Sequence, residues 1–257
     1  MTLLSPREQL AQDRLAKRKG TIALALLFVM GVIGVVSLSM RRGSEGGDEA
    51  QASIALASME EEKIVRVGIQ AGHWKYREVP SELDKLRRNG GGASVAGVDE
   101  WEINLAVAEK AAAILARQDI MVDILPTAVD PGYEADAFVA IHADGNDDTS
   151  VSGYKVEASS FDKSGLAEIL SDTIEETYGT AITMRHDPST SLDMTEYYAF
   201  NYVKYEHSIA PTTPGALVEV GFLTHDGDRS ILVNKTDRVA KAVADGILAF
   251  LREQGKI

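Results

Sequence analysis

Residues 215–223, GALVEVGFL, are apolar at odd and even positions alike, with Glu219 as the one charged side chain. A strand wet on one face alternates apolar and polar residues, so a run apolar on both faces reads as a central strand of a sheet covered on both sides. Sheets of that kind are built from strands alternating with helices, and the chain around this run has that rhythm. KIVRVGIQ (63–70) reads as a buried strand ending at Ala71-Gly72. IMVDILP (120–126), AFVAIHA (137–143) and GYKVEAS (153–159) read as further strands.

Between them, INLAVAEKAAAILARQ (103–118) carries Ile103, Ala106, Val107, Ala111 and Ile114 at helical spacing and is rich in strong helix formers. A second helix is expected over 163–178, and TDRVAKAVADGILAFLREQ (236–254) as a closing one. Residues 179–213 carry no pattern that assigns them. The expected fold class is α/β: a mixed, mostly parallel twisted sheet with helices on both faces, forming one domain over residues 63–257.

The N-terminal part differs in kind. Residues 21–40, TIALALLFVMGVIGVVSLSM, are twenty without a charge. At about 1.5 Å per residue a helix of that length spans roughly 30 Å, the thickness of a bilayer's hydrocarbon core. The run exceeds the roughly 7–15 residues of a signal peptide's apolar region, so an uncleaved transmembrane anchor is expected. Five basic residues (Arg7, Arg14, Lys17, Arg18, Lys19) precede it against Arg41 and Arg42 after it. This asymmetry predicts a cytoplasmic tail over 1–20 and an extracytoplasmic remainder, hence a single-pass protein of the cell membrane. Residues 41–62 are small and acidic, and read as a flexible spacer.

The net charge of −13 is unevenly divided. Residues 1–42 hold seven basic and two acidic residues, +5, which leaves −18 for the rest. Such a domain is a poor nucleic-acid partner, because phosphate contacts need clustered Lys and Arg. There is no cysteine, so any metal has to be held by His, Asp or Glu.

Three such residues fall at comparable places, and a further carboxylate lies within the central strand. His73 follows the first strand, His142 closes AFVAIH, and Glu100 opens the helix beginning near Trp101; the further carboxylate is Glu219. Ligands of open α/β sheets bind at the carboxyl ends of the strands, which is compatible with one shared site. Asp99 is placed to cap the helix, with Glu102 completing a capping box. Glu100 then lies at the positive end of the helix dipole, which keeps a carboxylate ionised. Spacing alone leaves open that both glutamates merely favour the helix start, and that His73 is a structural loop residue. Glu219 is costly to bury without a partner, which marks it as a functional candidate.

In order and approximate spacing, VGIQAGHWK, EWEINLAVA, AFVAIHADG and PGALVEVGFLTHDGDRSIL resemble the zinc-dependent N-acetylmuramoyl-L-alanine amidases of bacterial cell-wall turnover. The last block is the most specific. The resemblance implies that His73, Glu100 and His142 ligate a zinc ion, leaving a fourth position for the hydrolytic water. It also implies that Glu219 is the general base and acid, and that the bond cut joins N-acetylmuramic acid to the L-alanine of the stem peptide. Peptidoglycan is the implied partner. Alternatives are a catalytically silent wall-binding or regulatory module of the same fold, or an amidohydrolase acting on another N-acyl amino acid or peptide.

The chain departs from the family at two places. Trp74-Lys75 stand where two glycines usually follow the first histidine, and LPTAVDPGYEAD (125–136) lacks the usual threonine-arginine strand end and most of a short helix. Trp74 and Lys75, with Lys85, Arg87 and Arg88 beyond them, are expected to meet sugar or stem carboxylates, and His186 is a further substrate-binding candidate. His225 is expected to be structural. No motif of the sequence points to a particular protein regulator.

Overall fold

The structure is a computed structural model that describes residues 64–189 and 191–257. The expected tail, membrane span and spacer (1–20, 21–40 and 41–62) lie outside the described residues. Among the described residues no helix is long and apolar enough to cross a membrane.

Five strands form one sheet. They are β1 (Arg66–Ala71), β4 (Met121–Leu125), β5 (Ala137–Asp144), β6 (Lys155–Ala158) and β7 (Gly215–Phe222), in the order β4-β1-β5-β7-β6. The first four of that order run parallel, and β6 closes the edge antiparallel to β7. The sheet is mixed and mostly parallel, as the apolar runs imply. A two-stranded ribbon, β2 (Ser94–Val95) and β3 (Val98–Asp99), stands apart from it.

The two faces are covered differently. Val139, Ile141, Val218 and Val220 point into one core with residues of α2 (Glu100–Leu115), α3 (Ala167–Ala181) and α6 (Thr236–Glu253). The intervening Phe138, Ala140 and Leu217 point the other way, into a second core with Val79, Leu83, Tyr133, Tyr198, Phe200 and Ile209. That second face is roofed by short helices, α1 (Asp84–Asn89) and α4 (Leu192–Thr195), and by irregular chain. Long helices therefore cover one face, while the other is closed mainly by the segments whose sequence carries no regular pattern. A further helix, α5 (Asp226–Asn234), follows β7 after a short turn.

In α2 the buried stripe runs through Ile103, Val107, Ala111 and Leu115, with Ala106 and Ile114 at its margin. The expected start of α3 is displaced. Gly165 has φ +73, outside helical space, and the Asp162 carboxylate accepts from Ser164, Leu166 and Ala167 N–H groups, so the helix begins at Ala167. In α6, a Cβ on Gly246 would fall 2.6 Å from the Ile174 Cα, which explains how α3 and α6 approach so closely.

Candidate active site and metal centre

Strand register builds the site. His142 on β5 is paired with Glu219 on β7, and Glu219 with Lys155 on β6. Residues opposite one another across a sheet share a face, so these three side chains form one row on the irregularly roofed side. One residue beyond the last β1–β5 register pair, Gly72 meets the same row, and a Cβ there would collide with the His142 imidazole. A glycine after β1 is what leaves room for that ring. The register then slips between His142 and Asp144, where β7 carries one residue more than β5.

His73 follows immediately, with φ +61, and the turn it makes lays its ring edge-on to His142 at 5.0 Å between centroids. Glu100 is the first residue of α2 and is buried, whereas Glu102 is exposed. The expected capping box is absent: Asp99 occupies the N-cap without a side-chain cap bond and instead accepts from the Ser94 hydroxyl. The helix start is tied to the preceding loop. Glu100 N–H donates to Ala93 O at 2.8 Å, and Ala93 N–H donates to Glu100 Oε2 at 2.9 Å. Gly92, φ +84, passes so close that a Cβ would collide with that carboxylate.

One ligand atom from each of His73, Glu100 and His142 lies within 4.8 Å of the others. Glu100 Oε1 is 3.4 Å from His73 Nε2 and 3.2 Å from His142 Nδ1. Burial lowers the His73 imidazole below its usual pKa; the Glu100 charge opposes this and the neighbouring His142 adds to it. Desolvation pushes Glu100 up, but the hydrogen bond with His142 and the charges of both histidines outweigh it and hold the carboxyl below its usual range. A neutral imidazole and an ionised carboxylate are the forms that ligate. Two nitrogen donors and one oxygen donor, with no sulfur, suit a zinc ion, and three protein ligands are the number a catalytic zinc site has.

Glu219 faces the same space. Its Oε2 is buried without a hydrogen-bond partner. Desolvation, then the charges of Glu100 and Asp144, push its pKa well above the usual carboxylate value, with Lys155 opposing. Lys155 is itself buried, its ammonium 2.7 Å from Asp144 Oδ2 and 3.7 Å from Asp187 Oδ2. A cavity of about 460 Å³ opens here, lined by His73, Glu100, His142, Glu219, Asp144 and Ser94 among others.

Other candidates lie elsewhere. The lining does not include Trp74, Lys75 or His186. Trp74 is half-buried against the main core, with the Lys75 ammonium 4.7 Å from its ring. His186 stacks on Tyr154 and lies 3.6 Å from Glu175. Arg87 and Arg88 both pair with Asp84 on their own helix. Lys75 has φ +58, the left-handed conformation that glycine adopts most easily. His225 caps α5, as its place in the sequence implies.

Over this site the whole domain follows a known pattern. The sequence profile of the N-acetylmuramoyl-L-alanine amidase family matches residues 67–249. The chain belongs to that family. The amidase is also similar in fold to solved structures. N-acetylmuramoyl-L-alanine amidase AmiC2 of Nostoc punctiforme is 24% identical, with a TM-score of 0.54 over 73% of this chain and 97% of that one. The amidase Ami1 from Mycobacterium smegmatis is 16% identical, with a TM-score of 0.53 over 74% and 97%. Cwp6 from Clostridium difficile is 19% identical, with a TM-score of 0.53 over 73% of this chain and 29% of that one. No curated protein sequence matches the chain.

Sequence reading missed several residues around the amidase's site. Tyr197 places its hydroxyl 3.0 Å from His142 Nε2, and Tyr198 next to it accepts from Gln70 Nε2. Asn104 donates to Gly72 O and to Glu100 Oε1. A buried amide at helix position 104 and a lysine within GYKVEAS were visible signals. The tyrosines were not, because residues 179–213 have no periodicity to say which of them turn inward.

Proposed function

We propose that this amidase is a zinc hydrolase that cuts the amide bond between N-acetylmuramic acid and the L-alanine of peptidoglycan, held to the cell membrane by residues 21–40 with its domain outside. The observation that carries the reading is the convergence of His73, Glu100 and His142 within 4.8 Å, facing the unpartnered Oε2 of Glu219 in one cavity. A wall-binding module has no need of a buried, proton-seeking carboxylate beside three ligands, so this geometry favours hydrolysis over silent binding.

His73, Glu100 and His142 would hold the ion. When bound, zinc supplies Lewis acidity, which acidifies water and polarises the scissile carbonyl. Glu219 takes a proton from the attacking water as the new carbon–oxygen bond forms. It then delivers that proton to the amide nitrogen as the carbon–nitrogen bond breaks, so the alanine leaves as an amine. Its raised proton affinity suits both transfers, with the Lys155 charge opposing the rise. Asn104 and the Ala93 N–H hold the Glu100 carboxylate in place beside His73 and His142.

The test incubates the full-length protein in detergent with purified muropeptides, with and without zinc. Zinc-dependent release of free stem peptide is expected. Binding without release would instead support the silent module, and release from other N-acyl amino acids alone would support the third reading. Anchoring and orientation are tested separately, by membrane fractionation and by protease protection of the C-terminal domain in intact cells.

A further inference from the structure

A line of hydrogen bonds leads from His142 away from the site into the second core. His142 Nε2 lies 3.0 Å from Tyr197 Oη; Tyr197 Oη is 3.1 Å from Tyr198 Oη; and the Tyr198 hydroxyl donates to the Thr127 carbonyl oxygen. Gln70 donates at 2.9 Å to the Tyr198 oxygen and at 2.8 Å to the same carbonyl. A carbonyl oxygen can only accept, so the Tyr198 proton is committed to Thr127 and its oxygen is left to accept from Gln70 and Tyr197. Tyr197 in turn spends its proton on Tyr198, and its own oxygen is left facing His142. The chain thus has one self-consistent direction, from the imidazole to the backbone, and it asks for a proton on Nε2.

The other ring nitrogen, Nδ1, is the one turned to Glu100 Oε1, which also lies against His73 Nε2. With Nε2 turned to Tyr197, Nδ1 is the nitrogen left for the ion, which would take the place of the Nδ1–Glu100 contact. We propose that Tyr197 is a positioning residue for the metal centre: it accepts the Nε2 proton of His142, fixes the ring, and commits Nδ1 to the ion. Tyr198, Gln70 and Thr127 anchor Tyr197 in turn, and this is why a glutamine with its Nε2 fully engaged is buried in the middle of an apolar strand. The proposal rests on the zinc reading above. It assigns a function to residues 197 and 198 in the segment with no readable pattern.

The test compares the full-length wild type with Tyr197→Phe, which keeps the ring and removes the oxygen. Zinc affinity is measured by competition with a chromophoric chelator, alongside thermal melting of the metal-free proteins. The expected result is a loss of about 10- to 100-fold in zinc affinity with the metal-free melting temperature little changed, the range for removal of an outer-sphere partner. Nitrogen NMR of zinc-loaded wild type should show His142 protonated at Nε2 and ligating through Nδ1, a readout that needs no variant. An affinity within about threefold of wild type for a folded Tyr197→Phe protein, or ligation through Nε2, overturns the inference while leaving the zinc reading intact. Failure of the wild type itself to bind zinc overturns both, and the titration shows this before any variant is made.

Discussion

Two carboxylates lie toward the carboxyl end of β7, nine residues apart: Asp228 is buried, and Glu219 is half-buried with its Oε2 shielded from solvent. Asp228 is supplied with donors: Oδ2 accepts from Gly153 N–H at 2.7 Å and from Phe222 N–H at 3.1 Å. Glu219 has a lysine in its row but a buried oxygen with no donor at all. A carboxylate held by two backbone donors ties chain segments together, whereas one kept short of donors retains its affinity for a proton. The fold spends its donors on Asp228 and withholds them from Glu219.

The largest expected effect tests that contrast directly. Glu219→Gln should lower turnover by about 10²- to 10⁴-fold, the range for loss of a positioned acid–base group, without lowering the melting temperature. A variant that melts much lower than wild type would mean that Glu219 is structural after all. Asp228→Ala should do the reverse. It leaves two buried N–H groups unpaired and costs on the order of 3 kcal/mol in denaturant unfolding, while activity per folded molecule stays close to wild type.

Acidity separates the charged groups further. In the metal-free protein Glu219 binds its proton more tightly folded than unfolded, so its contribution to stability is present below the usual carboxylate pKa and is lost as pH rises through the raised folded value. Asp123, on β4, behaves oppositely. Desolvation pushes it up, but hydrogen bonds from Arg66 and Tyr133 outweigh this and hold it below its usual value, so its contribution is present at neutral pH and lost as pH falls through the depressed folded value. Unfolding curves across this range should show less loss toward neutrality in Glu219→Gln and less loss toward acid in Asp123→Asn. Parallel profiles for the two variants would contradict the assignment.

The smallest expected effect is at Lys75. Lys75→Gly relieves a left-handed backbone but adds freedom to the unfolded chain, so stability should move by less than about 1 kcal/mol with zinc affinity unchanged. A large loss of zinc affinity would give Lys75 a part in the site that its position outside the cavity lining does not suggest.

The readable and unreadable parts of the molecule divide along the two faces of the sheet. Strands buried on both sides, and helices with a 3.6-residue stripe, announce themselves through spacing, so β1, β5, β7, α2 and α6 were legible with small shifts at their ends. His73, Glu100, His142 and Glu219 could be singled out as candidates because each sits at the end of, or within, one of those elements. The roof of the second face is held by turns, tyrosine hydroxyls and isolated bridges such as Tyr133 to Ile209, and these have no period. The capping box at Asp99 failed for a related reason, since a hairpin hydroxyl from Ser94 claimed the side chain that local pattern assigned to the helix.

What the sequence by itself determined is the alternation of strands and helices and the lone carboxylate in an apolar run, because both follow from periods of two and 3.6 along the chain. Which polar groups end up partnered was decided only in three dimensions. The row from Gly72 through His142 and Glu219 to Lys155 depends on register between strands far apart in sequence, and the Tyr197 contact on how an irregular segment lies across it. A hydrogen bond is satisfied or withheld over a few tenths of an ångström, and local sequence carries no record of that distance.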